Sequence, residues 1–279
     1  DATKGATTLP THANGVVVGG GVVGCSILFH LAKFGWKDTV LLERDELTSG
    51  SSWHAAGGIH TISSDPNISR LQSYTINLYK EIEELSGQSV GLHQTGGFYA
   101  ASTKEWYDYL KGERSKARYM GLDQEFISPK ELAERHPLID PDHYHAVLWD
   151  AQDGHLDPSG TTYAFAKAAK AHGAQYFTHC GATAMTQRPD GSWDIVTPKG
   201  SINAEHVVNC GGLWAREVGQ MAGIHLPVQP MEHHYLITER MDEVANFGQQ
   251  LPHGIDFEAK CIVVWKVKAC CSAPMKPKR

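Results

Sequence analysis

The run Gly19-Gly20-Gly21-Val22-Val23-Gly24 is the strongest chemical signal in the chain. Glycine at its first, third and last positions lets a backbone turn tightly, brings N–H groups close to a diphosphate, and lets a helix pack against a strand. A helix starting there would present unpaired N–H groups to negative charge. Glu43 follows Gly24 by 19 residues. At that distance a carboxylate ending a second strand can take both hydroxyls of an adenosine ribose, and it would repel a 2′-phosphate, which argues against NADP. Arg44 adjoins it. These residues describe a dinucleotide site, with a tight turn lacking any ligand as the alternative.

A second group runs from Leu47 to Gly58, as Leu-Thr-Ser-Gly-Ser51-Ser52-Trp53-His54-Ala55-Ala56-Gly57-Gly. Small and hydroxyl residues just past a second strand suit a segment lying under a flat ring system. His54, read alone, would be a satisfied surface histidine. Pro230–Tyr235 falls on an expected strand, Val228–Thr238, so His233 and His234 would point to opposite faces. Adjacent histidines on a strand cannot share a metal, and His54 and His60 are not an i,i+4 pair, so no metal site is expected. None of the six cysteines forms a Cys-x-x-Cys pair, and buried reduced thiols are expected.

The elements that would position these residues are legible nearby. Gly15–Val18 is an apolar, β-branched run suited to a strand buried on both faces. Helical spacing follows from Val23 until Gly35, and Val40–Glu43 repeats the buried-strand pattern. Together they form a βαβ unit. Further on, Leu71–Leu85 keeps helical spacing until Gly87, and Gly96–Ala101 reads as a strand. Trp106–Arg135 is charged and helical, broken by Gly121 and by a helix start at Ser128-Pro129. Pro158 and Ser159 open a helix that Gly173 closes. Gln175–Gln187, Ser192–Thr197 and Ser201–Asn209 read as a meander with a hairpin turn at Pro189-Asp190-Gly191. Val207–Asn209 then runs into Gly211 and Gly212 and a helix beginning near Trp214, either a second backbone approach to a cofactor or plain helix–strand packing. Asp153–Pro158 reads as a turn plus a helix cap.

With the glycine turn, Trp53-His54-Ala55-Ala56-Gly57 resembles the flavin-dependent dimethylglycine and sarcosine dehydrogenases, part of the D-amino-acid-oxidase-like superfamily. So do Gly87-Gln88-x-Val90-Gly91-x-His93-Gln94, Asp153–Pro158 and Asn209–Gly219. The resemblance runs from about Leu9 to about Glu258. It implies FAD bound covalently through an 8α-methyl–imidazole bond at His54. The contacts it implies are Gly19, Gly20, Gly21, Val22, Val23, Gly24, Glu43, Arg44, Ser51, Ser52, Ala55, Ala56, Gly57, Gly211, Gly212 and Trp214. Family members read His-Gln-Tyr where this chain has His233-His234-Tyr235, which selects His233 as the catalytic residue lining the substrate side of the flavin. The implied fold is α/β: a Rossmann-like FAD-binding domain (1–95 and 150–225) interrupted by a β-rich substrate domain (96–149 and 226–258), the latter incomplete at its C-terminus. The implied reaction oxidises the N-methyl group of a small methylated amine such as sarcosine or dimethylglycine. Electron-transfer flavoprotein or oxygen would be the acceptor, and tetrahydrofolate a partner only in a longer parent. A flavin-binding fragment without turnover is the rival reading. An NAD-dependent dehydrogenase is disfavoured, since no nicotinamide-side motif is apparent.

Composition excludes other classes. The 279 residues are 41% hydrophobic and 20% charged, with a formal net charge of −6, an ordinary globular profile without the basic footprint of a nucleic-acid binder. No apolar run reaches the roughly 18 residues of a membrane span, and no signal peptide is visible, so no membrane partner is expected. The expected location is cytoplasmic for a bacterial chain and the mitochondrial matrix for a eukaryotic one. Residues 259–279 differ from the body. No acid follows Glu258, yet six of the 25 Lys and Arg and three of the six Cys lie there. Where family members continue Gly-Met-Leu-Leu-Gly-Thr-Tyr-Glu, a reading one base later gives Ala-Cys-Cys-Ser-Ala-Pro-Met, which is Ala269–Met275. The tail is therefore expected to be a frame-shifted remnant with no selected fold, leaving a sheet edge unpaired near Val228–Thr238.

Overall fold

The computed structural model describes residues 8–61, 63, 65–232, 234–259, 261–266 and 269–274. Their elements, in chain order, are β1 (His12–Val18), α1 (Val22–Lys33), β2 (Thr39–Leu42), β3 (Gly58–Ile59), α2 (Pro66–Ser86), β4 (Gly97–Ala101), α3 (Lys104–Tyr119) and β5 (Gln124–Ile127). Next come α4 (Pro129–Arg135), β6 (Ala146–Asp150), β7 (Gly154–His155), α5 (Pro158–Ala171), β8 (Gln175–Phe177), β9 (Ala184–Gln187), β10 (Trp193–Thr197) and β11 (Gly200–Asn209). The chain continues with α6 (Ala215–Met221), β12 (Leu236–Ile237), α7 (Asp242–Ala245), β13 (His253–Asp256), β14 (Cys261–Lys266) and β15 (Ala269–Pro274). They form two units. The first holds the residues up to Ala55 with Tyr79–Val90 and Asp157–Met231; the second holds Ala56–Leu78, Gly91–Leu156 and the residues from Glu232 on. Ala56–Leu78 thus lies in the second unit, where the sequence reading drew 1–95 as one piece.

The first unit is built on a six-stranded sheet ordered β8-β2-β1-β11-β10-β9. Its first four strands are parallel, and β10 and β9 return antiparallel. Val16, Val17 and Leu41 are wholly buried because helices and loops cover both faces of the parallel part. Val18, Leu42, Phe177, Ile195 and Ile202 form the core on one side. On the helical side Phe29 of α1 meets Phe165 of α5 with ring centroids 5.8 Å apart. The βαβ reading of residues 15–43 is what this unit contains. The expected meander is there in β9, β10 and β11, which pair antiparallel in sequence order, but its first strand is divided: β8 pairs with β2, and His179 at φ 50 breaks the run before β9 begins.

The second unit is a seven-stranded sheet ordered β12-β15-β14-β13-β4-β6-β5, in which only β13 and β4 run parallel. Phe98, Ala100, Val147 and Trp149 pack on one face with Leu132 of α4. Tyr99, Ala101 and Leu148 pack on the other with Leu110 of α3. Ser128 and Glu131 close a reciprocal capping box that fixes the start of α4, as the Ser128-Pro129 signal predicts. The charged stretch before it is not one broken helix, because Gln124–Ile127 pairs with β6 as a strand.

Two expectations fail in this unit. The tail is not structureless: β14 pairs with β13, and β15 pairs with both β14 and β12. Ile262, Val263 and Val264 are β-branched and suit a pleated surface, and Val264 is buried. The expected strand Val228–Thr238 shrinks to Leu236–Ile237, which the tail pairs rather than leaves open. Among the described residues no helix is long and apolar enough to cross a membrane.

Candidate cofactor site

The glycine turn leaves the carboxyl end of β1 and enters α1. Gly19 has φ +117, and a Cβ there would lie 2.2 Å from the Cys210 carbonyl oxygen. A Cβ on Gly24 would lie 1.9 Å from the Gly19 carbonyl oxygen. The turn therefore fits only without side chains at these positions, pressed between α1 and the segment that follows β11. The first intrahelical bond runs from the Cys25 N–H to the Gly21 carbonyl. In the turn before it, the Val22 N–H donates to Ser52 Oγ at 2.9 Å. Val23 and Gly24 present first-turn N–H groups at the positive end of α1, where an anion is stabilised.

Glu43 follows β2 directly, beside the turn, and is buried. Its Oε2 accepts the Gly20 N–H at 2.6 Å, and its Oε1 accepts the Asp45 N–H at 2.9 Å. The carboxylate so fixes the turn on one side while Cys210 and Gly211 close on the other. Each oxygen keeps a further lone pair for a hydroxyl donor. Arg44 is exposed and lays its guanidinium 3.7 Å from the centre of the Trp214 ring. Gly211 donates its N–H to Asn209 Oδ1 at 3.0 Å, and Gly212–Trp214 makes one turn of 3-10 helix before α6. These residues, with Ser52, are brought together at the carboxyl end of one parallel sheet, the usual ligand crevice of such sheets. The side-chain-free cradle and the free first-turn N–H groups fit a dinucleotide diphosphate.

Ser51, Ala55 and His54 are exposed on the same unit, and the Trp53 and His54 rings lie 3.7 Å apart. Ala56 and Gly57 belong to the second unit, where the Gly57 carbonyl accepts the Leu156 N–H at 2.9 Å. His233 lies outside the described residues. The alternation argument that paired it with His234 lacks its strand, which starts only at Leu236. His234 is exposed, with Nε2 4.0 Å from Glu232 Oε2. Burial pushes the Cys25 thiol up, with Glu43 adding to the shift, and raises Cys210 to about 11. Both stay protonated thiols beneath the turn.

A buried polar cluster in the second unit was not legible in advance. Asp153 Oδ1 accepts the Thr61 N–H at 2.9 Å, and Tyr99 Oη donates to Asp153 Oδ2 at 2.7 Å. Asp150 Oδ2 accepts from Thr61 Oγ1 at 2.6 Å and from Gln124 Nε2 at 2.9 Å. Burial, then the neighbouring Asp150, raises Asp153 to about 8. His253 is pushed down to about 3 by burial and then by His60 and His155. Burial also lowers His60, with Asp150 opposing. The rings of His93 and His155 stack at 5.1 Å. The Asp153–Pro158 run does form the expected turn and cap, since Asp157 Oδ1 accepts the Ser159 N–H. The partners of Asp153 lie far off in the sequence, so no local signal announces the rest.

The profile of the family described as FAD dependent oxidoreductase matches residues 15–264. This chain belongs to that family. The match passes Glu258, beyond the point where the motif reading ends. Dimethylglycine dehydrogenase, mitochondrial, of Rattus norvegicus is 40% identical over 247 residues, covering 88% of this chain and 29% of the relative. Sarcosine dehydrogenase, mitochondrial, of Homo sapiens is 38% identical over 251 residues, covering 88% of this chain and 27% of the relative. The chain thus spans less than a third of the length of either. L-proline dehydrogenase from P. horikoshii superposes with a TM-score of 0.86 at 28% identity, over 97% of this chain and 72% of that one.

Proposed function

We propose that this chain oxidises a CH–NH bond of a small methylated amino acid, sarcosine or dimethylglycine, with FAD attached through His54. The observation that carries this reading is the pairing, on one unit, of the diphosphate cradle at Gly19–Gly24 and Glu43 with an exposed His54 in Trp-His-Ala-Ala-Gly. The names and identities of the two dehydrogenases support the substrate class. FAD, when bound, supplies the hydride acceptor. The chain's own part is to order the diphosphate at the start of α1, take the ribose at Glu43, and anchor the flavin at His54. Ala56, Gly57, Gly211, Gly212 and Trp214 complete the contacts in this reading. His233 is assigned to hold the amine neutral, because its lone pair must open as hydride leaves; an imidazole of ordinary pKa near 6.5 suits that exchange. Electron-transfer flavoprotein or oxygen takes the electrons, and tetrahydrofolate is engaged only in a longer parent. The relatives' names favour a mitochondrial location for a eukaryotic chain, and the matrix is the compartment in this reading.

Acid precipitation followed by a visible spectrum tests the attachment, and turnover of sarcosine and dimethylglycine with an artificial electron acceptor tests the reaction. A yellow pellet with amine-dependent reduction is the expected result. A yellow pellet with no turnover on either amine would leave a flavin carrier in place of an enzyme. The shifted reading frame after residue 259 is a proposal about the coding DNA. Removing one base near that codon should restore the family pattern there, and an intact frame would end it.

A further inference from the structure

Asp150 and Asp153 are both buried in the second unit, and among the described residues no lysine or arginine pairs with either. Thr61 joins them, giving its N–H to Asp153 and its hydroxyl to Asp150. The other donors are Tyr99 Oη on Asp153, and Gln124 Nε2 and the Gln152 N–H on Asp150. Gly97 lets Asp153 in, since a Cβ there would fall 2.6 Å from its Oδ2. Two buried carboxylates held by neutral donors alone cannot both stay charged without a large desolvation penalty. The pair therefore holds a proton.

Imidazoles lie between this pair and water. His60 adjoins Thr61, is half-buried and feels the charge of Asp150. The ring of His253 is centred 6.3 Å from that of His60. His253 is 2% exposed, and its Nδ1 has no hydrogen-bond partner among the described residues. Gly58 gives this ring its space, because a Cβ there would come 3.2 Å from His253 Cδ2. Gly58 pairs with His155 across β3 and β7, and His155 stacks 5.1 Å from the exposed His93. Four rings so lead from Asp150 to the surface, in steps that a rotamer change or one water molecule bridges. An imidazole takes a proton at one nitrogen and releases it from the other.

We propose that His60, His253, His155 and His93 form a relay that passes protons between the Asp150–Asp153 pair and water, serving as the outlet for the proton of amine oxidation. An amine arriving as its ammonium gives up one N–H proton, and the freed lone pair becomes the C=N π bond as hydride leaves carbon for FAD. The pair stores that proton and the rings return it to water. The second unit contains the residues expected to form the substrate domain. The outlet role rests on the amine-oxidation reading above; the relay stands on this unit alone.

Infrared spectra of the full chain at neutral pH test it. The pair should give a buried carboxylic-acid C=O band that Asp153→Asn removes. On dilution into D2O the band shifts as O–H becomes O–D, and the rate of that shift measures the relay. His253→Leu and the surface change His93→Ala should each slow it about tenfold or more, and added imidazole should restore the rate in His253→Ala. A merely structural His253 would give the opposite sign, because a loosened interior opens more often and exchanges faster. Circular dichroism checks folding, and if His253→Leu fails to fold, His93→Ala decides alone. No acid band in the parent, or exchange in the folded histidine variants as fast as in the parent or faster, would overturn the relay. With sarcosine or dimethylglycine, His253→Leu should lower turnover at unchanged flavin content. Slowed exchange with parental turnover would overturn the outlet role alone. A parent that oxidises neither amine would overturn the amine reading and the outlet role, while exchange still decides the relay.

Discussion

The two units bury carboxylates in opposite ways. In the first, Glu43 is wrapped by backbone N–H donors from Gly20 and Asp45, and the carboxylate orders a turn. In the second, Asp153 is crowded against Asp150, and burial with that neighbour lifts it to about 8 despite bonds from Tyr99 and Thr61. The same chemical group becomes a fastener for a polar cradle in one place and a proton holder in a packed interior in the other. Each carboxylate accepts two hydrogen bonds, so for Asp153 it is the neighbouring Asp150, added to burial, that outweighs its donors.

That contrast can be broken most severely at the first unit. His54→Ala is expected to abolish acid-stable flavin completely while leaving the fold intact, since its ring is exposed and lies tilted against the exposed Trp53. The spectrum of the acid pellet reads this directly, and mutant protein that stayed yellow would refute the attachment. Gly24→Ala should cost about 3 kcal/mol or more in urea unfolding, because its Cβ meets a backbone carbonyl that cannot retreat without opening the turn. Normal stability in that variant would show that the cradle is looser than its spacing indicates.

Glu43→Ala should weaken adenosine binding by about 1.5–3 kcal/mol, the scale of charge-assisted hydrogen bonds, and orphan the N–H groups of Gly20 and Asp45. In a covalent flavoprotein this appears as slow or incomplete flavinylation. Wild-type rates in the variant would count against a ribose contact.

The second unit sharpens the comparison through pH. Asp153 has a raised pKa, so its contribution to stability is fully present below pH 4 and is lost as pH rises towards 8. Asp153→Asn should flatten that part of the curve. His253 has a lowered pKa, so its contribution is present above pH 6.5 and is lost as pH falls towards 3. His253→Leu should flatten that limb. Each slope amounts to roughly 2 kcal/mol over two pH units. Thermal melts from pH 4 to 9 separate the two, and variants that melt in parallel with wild type would show that neither group titrates on folding.

Much of the first unit could be read from residue order. The turn at Gly19–Gly24, the strands on either side and the hairpin at Pro189–Gly191 are set by neighbours within a few residues, where steric rules act directly. Gln124–Ile127 was hidden because its partner strand β6 supplies the pattern that a short charged segment lacks. The parallel pairing of His253–Asp256 with Gly97–Ala101 was hidden for a like reason, since the two runs are far apart along the chain. The tail misled in the other direction. Its composition suggested no structure, while its β-branched run finds edges to pair with.

The sequence by itself determined a parallel βαβ unit with a glycine turn and a carboxylate after the second strand, and its family resemblance raised the expectation of flavin attachment at His54. Only the tertiary structure decided that Glu43 grips the turn it serves, and that Arg44 meets Trp214 across it. It alone decided that Asp153, Asp150, His60, His155 and His253 share one buried neighbourhood. Spacing along the chain fixes local geometry, but the charge state of a buried group is set by whatever long-range folding brings within a few ångströms of it.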